Sequence, residues 1–347
     1  MESVMRVAMY YNNKDIRLED WPAPATGPGE LLVKIHSSSI CGSDVMEWYR
    51  IHKAPLILGH EIAGEIVKVG QGIKAFQVGD RVVATHHVPC CTCHYCLTGH
   101  ETVCDTLLSG THFDPGGFCE YVRLPAINVD RGTWKIPDNV SYDAATFVEP
   151  LACVLRGQKI AGLKPGASVL VLGSGISGLL HISLAAATGA GLVVATDLND
   201  YRLNAAKQFG ASIALRGDED VAARFKERNN GRGADLVIVC ATAKNAFTQA
   251  MEAVERGGTI LFFAPTMDGV TIPLSINDLF WRKDVTCTTT YAAGPADCKT
   301  ALELIRHKRI NVENMITHSF GLADAVEGFR LVAEGGESLK IIIRPQE

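Results

Sequence analysis

Four cysteines recur as Cys90-x2-Cys93-x2-Cys96-x7-Cys104, a spacing that lets one loop wrap a tetrahedral ion. Four thiolates leave no coordination position open, which is the donor set of a structural zinc site. An iron–sulfur run also begins with cysteines at two-residue spacing, but it brings the next Cys after three residues with Pro following. Here the fourth comes after seven. Cys91 lies inside the run but off its spacing and reads as a spare thiol. A second group of metal-capable side chains lies upstream, in Cys41-Gly-Ser-Asp44 and Gly59-His-Glu61. Taken singly, Cys41 fits a buried small hydrophobe, His60 a core histidine and Glu61 a surface charge.

A third motif reads on phosphate. Gly173-x-Gly175-x-x-Gly178 follows the apolar run Ser168-Val-Leu-Val-Leu172 and opens an apolar, helix-like stretch beginning near Ile176. In such a loop the first glycine permits a tight turn, the second lets a pyrophosphate approach the backbone, and the third lets helix and strand pack closely. The helix N-terminus adds unpaired N–H groups and a partial positive charge. Asp197 ends the next strand candidate, nineteen residues after Gly178, near the ~20 expected for a carboxylate on ribose hydroxyls. Gly173, Gly175, Ile176, Gly178, Asp197 and Arg202 are therefore the expected cofactor contacts. A carboxylate at 197 repels the 2′-phosphate of NADP and favours NAD, whereas an Arg such as Arg202 is also what an NADP site uses.

These motifs need scaffolds. The chain has 347 residues, which predicts about two domains. Residues 1–153 read as short strands such as Glu30–His36, Glu65–Val69 and Asp80–Ala84, broken by Pro and Gly, with a zinc lobe at 86–105. From about 154 to 290, buried apolar strands alternate with helices, which implies a parallel sheet covered on both faces. Residues 291–347 carry two helix-like segments and a terminal strand, Leu339–Ile343.

Hydrophobic residues make up 47% and charged residues 20%, with net charge −5, a globular composition without the basic surface of a nucleic-acid or anionic-membrane binder. No basic-then-apolar leader and no apolar run of spanning length is present. Eleven cysteines, an odd number, argue against a disulfide framework and for a reducing compartment. The expectation is a soluble, cytoplasmic protein with no nucleic-acid or membrane partner.

Cys41-Gly-Ser-Asp44, Gly59-His-Glu61, Gly79-Asp80, the four cysteines, Glu149-Pro150 and the glycine loop, in that register, resemble the zinc-containing medium-chain dehydrogenase/reductase superfamily over essentially the whole chain. Within it, the polyol (sorbitol-type) and threonine dehydrogenase branch is most similar. The resemblance implies an α/β protein: a GroES-like β-rich catalytic domain, completed by the C-terminal segment, around an inserted Rossmann doubly wound nucleotide-binding domain. It implies two zinc ions per chain, one structural and one catalytic. Cys41 and His60 would ligate the catalytic zinc. Glu61 would be a ligand or approach during ligand exchange, and Glu149 would bind the ion or hold its water. Asp44 would orient the ligating histidine, and Ser43 would accept the alcohol proton.

The implied reaction moves a hydride between NAD and a secondary hydroxyl or ketone of a polyol, cyclitol or sugar-like compound. A threonine-type amino-alcohol dehydrogenase and a catalytically inactive nucleotide or metal sensor are the alternatives, and a homodimer or homotetramer is the implied assembly. Several relatives carry a proton-passing histidine two residues past Asp44, where this chain has Met46. Trp48, Tyr49 and Phe113 fall in cleft-lining segments. His86 and His87 stand just before the cysteine lobe, within reach of substrate or merely exposed in a loop.

Overall fold

A computed structural model describes residues 4–109 and 113–347. The chain forms two compact units, one built from residues up to Ala152 together with Ala292–Glu347, the other from Cys153–Tyr291.

In the second unit six parallel strands lie in the order Ile213–Arg216, Leu192–Asp197, Ser168–Leu172, Ala234–Val239, Val254–Phe262 and Thr286–Thr289. This third-second-first-fourth-fifth-sixth order is the dinucleotide-binding arrangement, with its switch point at the first strand. Every residue of Ser168–Leu172 is buried, as expected of a central strand covered on both faces. Leu170, Val194, Phe225, Val237, Phe247 and Ile260 form one apolar core with their neighbours. The edge strand Thr286–Thr289, Thr-Cys-Thr-Thr, is too polar and short to stand out in the sequence.

The first unit is built on a seven-stranded sheet. Its path runs Ile316–Gly321, Lys340–Arg344, Leu31–Ser39, Glu61–Val69, Arg81–Ala84 and Thr133–Lys135, and Tyr121–Leu124 also pairs with Leu31–Ser39. A smaller sheet pairs Val4–Asn12 with Asp15–Pro22 and Leu56–Ile57. The C-terminal strand lies antiparallel to Leu31–Ser39, with Ile342 opposite Ser39, while Ser39 faces Glu61 on its other side. The end of the chain thereby closes the sheet beside the Gly59-His-Glu61 motif. Two apolar cores fill the unit: one around Val7, Val33, Ile35, Ile62, Ile66 and Val122, the other around Tyr10, Ile40, Phe118, Phe329 and Ile343. No helix among the described residues is long and apolar enough to cross a membrane.

Candidate functional site: two metal-binding groups and a glycine loop

Cys41 ends the approach from strand Leu31–Ser39, and Cys41–Asp44 closes a turn in which the Asp44 N–H donates to the Cys41 carbonyl at 3.0 Å. The Asp44 carboxylate is fully buried and accepts from the Cys41 N–H at 3.0 Å. His60 stands immediately before strand Glu61–Val69 and turns its Nδ1 to Asp44, 3.4 Å away. Glu61, the first residue of that strand, is buried rather than a surface charge. Its Oε2 accepts from Ser39 and pairs with Lys340, whose side chain is also buried. Lys340 donates as well to the Ile40 carbonyl at 3.3 Å. The second carboxylate oxygen, Oε1, is buried with no hydrogen-bond partner.

Ligand-capable atoms of Cys41, His60 and Glu61 lie within 4.8 Å of one another. Burial disfavours a charged His60 ring, yet the Asp44 carboxylate and Cys41 sulfur raise its pKa well above the imidazole range. Carboxylates and a sulfur around one ring make a place that favours positive charge. An orphaned Glu61 oxygen, a soft sulfur and an imidazole nitrogen in one place are a donor set that fits zinc.

Ser43 lies beside this group, its hydroxyl 3.4 Å from the Cys41 sulfur. Arg50, which the sequence reading did not single out, donates from Nε to the Ser43 carbonyl at 3.0 Å and from Nη2 to the Ser43 hydroxyl at 3.3 Å. The same Nη2 is 3.7 Å from Asp44 Oδ1. Only the closeness of Arg50 to Cys41-Gly-Ser-Asp44 in the chain could have drawn notice to it.

Glu149, buried near the start of helix Val148–Ile160, is not part of the Cys41–His60–Glu61 triad. Its carboxylate converges instead with His86 and His87, ligand-capable atoms again within 4.8 Å. The His86 ring lies 4.8 Å from the His60 ring, 3.6 Å from His87 and 6.1 Å from Phe113. Both histidines are half-buried rather than exposed.

In the lobe, Cys90, Cys93, Cys96 and Cys104 also come together within 4.8 Å. Sulfur separations are 3.9 Å for Cys90–Cys96, 3.6 Å for Cys93–Cys96 and 3.6 Å for Cys90–Cys104. Thiolates about 2.3 Å from a tetrahedral ion stand about 3.8 Å apart, so the geometry fits zinc. The Thr92 hydroxyl and the N–H groups of Thr92 and Cys93 pull Cys90 down to about 5. Burial and the nearby Cys93 push Cys96 up to about 12. Thiols this close cannot all ionise without a cation among them. Cys91 is exposed, outside the set.

In the second unit the glycine loop joins strand Ser168–Leu172 to helix Ile176–Ala187. Gly173 has φ +97°, and a Cβ on Gly178 would stand 1.9 Å from the Gly173 carbonyl oxygen. Both positions exclude larger residues, for conformation and for close packing respectively. At Gly175 a Cβ would meet only the Arg202 guanidinium, 3.9 Å away, so the helix N-terminus with Ile176 stays open beside a cation. Asp197 Oδ2 accepts from the Ser174 N–H at 2.8 Å and its Oδ1 from the Asn199 N–H at 2.9 Å. The carboxylate is therefore fixed against the loop.

Comparison with known proteins agrees with this geometry. Residues 27–138 match the alcohol dehydrogenase GroES-like domain, and 177–307 match the zinc-binding dehydrogenase domain. Sorbitol dehydrogenase of Gallus gallus is 33% identical, covering 95% of this chain and 93% of the relative. L-threonine 3-dehydrogenase of Bacillus licheniformis is also 33% identical, covering 93% of this chain and 94% of the relative. A zinc-binding dehydrogenase of Sinorhizobium meliloti bound to NADP superposes with a TM-score of 0.88 at 26% identity, over 99% of this chain and 100% of that one. A third of the residues shared along nearly the full length of two enzymes is beyond what a common fold alone requires. The chain belongs to the zinc-containing medium-chain dehydrogenase/reductase superfamily, in its polyol and threonine dehydrogenase branch, and is a zinc- and nicotinamide-dependent oxidoreductase.

Proposed function

We propose that the protein oxidises a secondary hydroxyl of a polyol, cyclitol or sugar-like compound with NAD, or reduces the corresponding ketone. One observation carries this reading: the convergence of Cys41, His60 and Glu61 beside the Ser43 hydroxyl, with Asp44 against the far side of the His60 ring. A zinc ion held by these three residues would supply the Lewis acidity that brings an alcohol proton within reach at neutral pH. A dinucleotide held by Gly173, Gly175, Ile176, Gly178, Asp197 and Arg202 would supply the hydride acceptor.

The chain's own residues do the rest. Asp44 fixes the His60 ring by its Nδ1, leaving Nε2 for the metal and making that nitrogen a stronger donor. The Ser43 hydroxyl takes the substrate's hydroxyl proton as it passes its own to solvent water, and Arg50 fixes the position of its oxygen. Glu149, outside the ligand triad, is assigned to holding water or a substrate hydroxyl. A second zinc in the four-cysteine lobe is structural. Residues up to Ala152 with Ala292–Glu347 form the catalytic domain, and Cys153–Tyr291 the cofactor domain.

Asp197, held by two N–H donors, supports NAD over NADP, because a fixed carboxylate repels a 2′-phosphate. A threonine-type activity is the second reading, favoured by the equal identity to L-threonine 3-dehydrogenase. The assembly proposed by resemblance is a homodimer or homotetramer, which light scattering tests. A screen following NADH formation, with zinc quantified on the same sample, tests the whole. The expected result is turnover of sorbitol-like compounds, a higher kcat/KM for NAD than for NADP, and two zinc ions per chain. Turnover confined to threonine would replace the polyol reading. Simple aliphatic alcohols outpacing every polyol would overturn it.

A further inference from the structure

We propose that Lys340 is a positioning residue that makes Glu61 a one-oxygen ligand and so keeps one coordination position of the catalytic zinc free for substrate. This role rests on the catalytic-zinc part of the proposed function and deepens it.

Backbone pairing carries the Lys340 ammonium to the site. Ile342 lies opposite Ser39 and Ile343 opposite Ser38 in antiparallel register. The Ile40 N–H donates to the Ile341 carbonyl at 3.0 Å, which continues that register toward Cys41. Lysine is almost never fully buried unless paired, and Lys340 is 1% exposed. Of the three donors of an ammonium, one goes to the Glu61 carboxylate and one to the Ile40 carbonyl, 3.3 Å away. The Phe147 ring stands 5.7 Å from Nζ. A backbone carbonyl thus anchors the charge, so Lys340 holds Glu61 rather than following it.

The two oxygens of Glu61 are used unequally. Oε2 accepts from both the Ser39 hydroxyl and Lys340, while Oε1 is buried with no hydrogen-bond partner. A buried acceptor left without a partner is costly. An ion pair that served folding alone would gain by sharing its donors between both oxygens. The asymmetry has a use once an ion stands beside Cys41 and His60. Oε1 can then ligate without breaking either bond to Oε2, and Oε2 is held away by its own donors. Three single-atom ligands leave the fourth position of a tetrahedral zinc open, as catalytic sites require. A carboxylate that turned both oxygens to the ion would fill it.

Cobalt(II) at Cys41, His60 and Glu61, with zinc kept in the four-cysteine lobe, reports coordination number in its visible spectrum. Four-coordinate cobalt absorbs much more strongly than five-coordinate cobalt. Wild type, Lys340→Met, Ser39→Ala and Lys340→Met/Glu61→Gln would be compared, with metal content and thermal unfolding recorded on each. Wild type is expected to give the strong bands. In Lys340→Met they should weaken by about twofold or more as Oε2 joins the ion, and kcat should fall about 10–100-fold. The double variant should regain the strong bands, because an amide has a single oxygen to offer. Ser39→Ala, which leaves Lys340 alone on Oε2, should keep them. Strong bands in folded Lys340→Met would overturn the inference and leave the zinc-dependent reading standing. Weak bands in wild type, in Ser39→Ala or in the double variant would overturn it too, and these three decide the matter if Lys340→Met does not fold. Failure of wild type to bind any metal outside the lobe would overturn both.

Discussion

The two units keep polar groups inside in different ways. The catalytic unit buries Asp44, Glu61, Glu149, Asp297 and Lys340, all able to carry charge. In the nucleotide unit Arg156 is the charged exception, and the other buried polar side chains are neutral: Gln158, Ser168, Ser174, His181, Thr196, Asn229 and Gln249. The contrast matches what the proposed function asks each unit to hold. A cation needs anionic donors, and anionic donors must be countered and oriented before the ion arrives. A dinucleotide's pyrophosphate needs N–H groups that a helix end supplies without any buried carboxylate.

The sharpest way to break this comparison is to remove a donor from the charged unit. Cys41→Ser should lower kcat/KM by at least about 10³-fold, several kcal/mol of lost Lewis-acid stabilisation. Zinc measured alongside should fall by one ion while the four-cysteine lobe keeps its own. Retained activity with one ion lost would mean that the chemistry does not run at Cys41.

Lys340 comes next. Its pairing with Glu61 is buried on both sides, and losing one partner of a buried pair costs about 3–5 kcal/mol because the other charge is stranded. Lys340→Met should show that loss in urea unfolding of zinc-depleted protein. Zinc should return part of it by giving the Glu61 carboxylate a new counterion. The double variant Lys340→Met/Glu61→Gln should recover most of the stability even without metal. A Lys340→Met protein as stable as wild type would show that the pair adds nothing.

How much of this was legible in the chain depended on sequence distance. The four cysteines fall within one short segment, and the glycine loop with Asp197 within one βαβ unit, so local spacing carried both. Lys340 and Glu61 stand 279 positions apart; no pattern links them until the C-terminal strand pairs beside Leu31–Ser39. Taken singly, Glu61 read as a surface charge because Glu usually is one; the family resemblance marked it as a zinc ligand, but nothing marked its distant partner Lys340. His86 and His87 read as loop residues for the same reason, since their burial comes from packing on His60 and Phe113. In the sheets, apolar runs marked the central strands. The polar edge strand Thr286–Thr289 and the mostly exposed strand Asp15–Pro22 lacked that signal.

Asp44 separates orientation from ligation. Asp44→Asn keeps size and shape but removes the charge facing His60 Nδ1, and such changes behind a ligating histidine cost about 10–100-fold in metal affinity or activity. Competition with a zinc chelator should show the weakened affinity at Cys41 and His60, with the lobe unaffected. Unaltered zinc affinity and kcat would mean that the His60 ring is held by packing alone.

The smallest effect expected sits in the nucleotide unit, at His181. Its ring is buried, accepts at Nδ1 from the Gln158 amide at 3.2 Å and stands edge-on to Phe263. Burial lowers its pKa to about 3. Above the unfolded value of about 6.5, folded and unfolded chains are both neutral there, so the residue adds no pH dependence. Below it the unfolded chain takes up a proton that the folded one refuses, and stability falls with pH by up to about 1.4 kcal/mol per unit. Carboxylates of the catalytic unit behave differently. Burial works against charge on Asp80, but Lys135 and the Gln77 N–H hold it below the usual carboxylate range, so its stabilisation is lost only as pH drops through that lower value. The loss at His181 should therefore set in at a higher pH than the loss at Asp80. Urea unfolding at pH 6.5, 5.5 and 4.5 should show the decline in wild type and a flatter one in His181→Gln, the difference isolating this ring from every carboxylate. Parallel declines would show that His181 takes up its proton in the folded state, and that the neutral interior of this unit tolerates a charge after all.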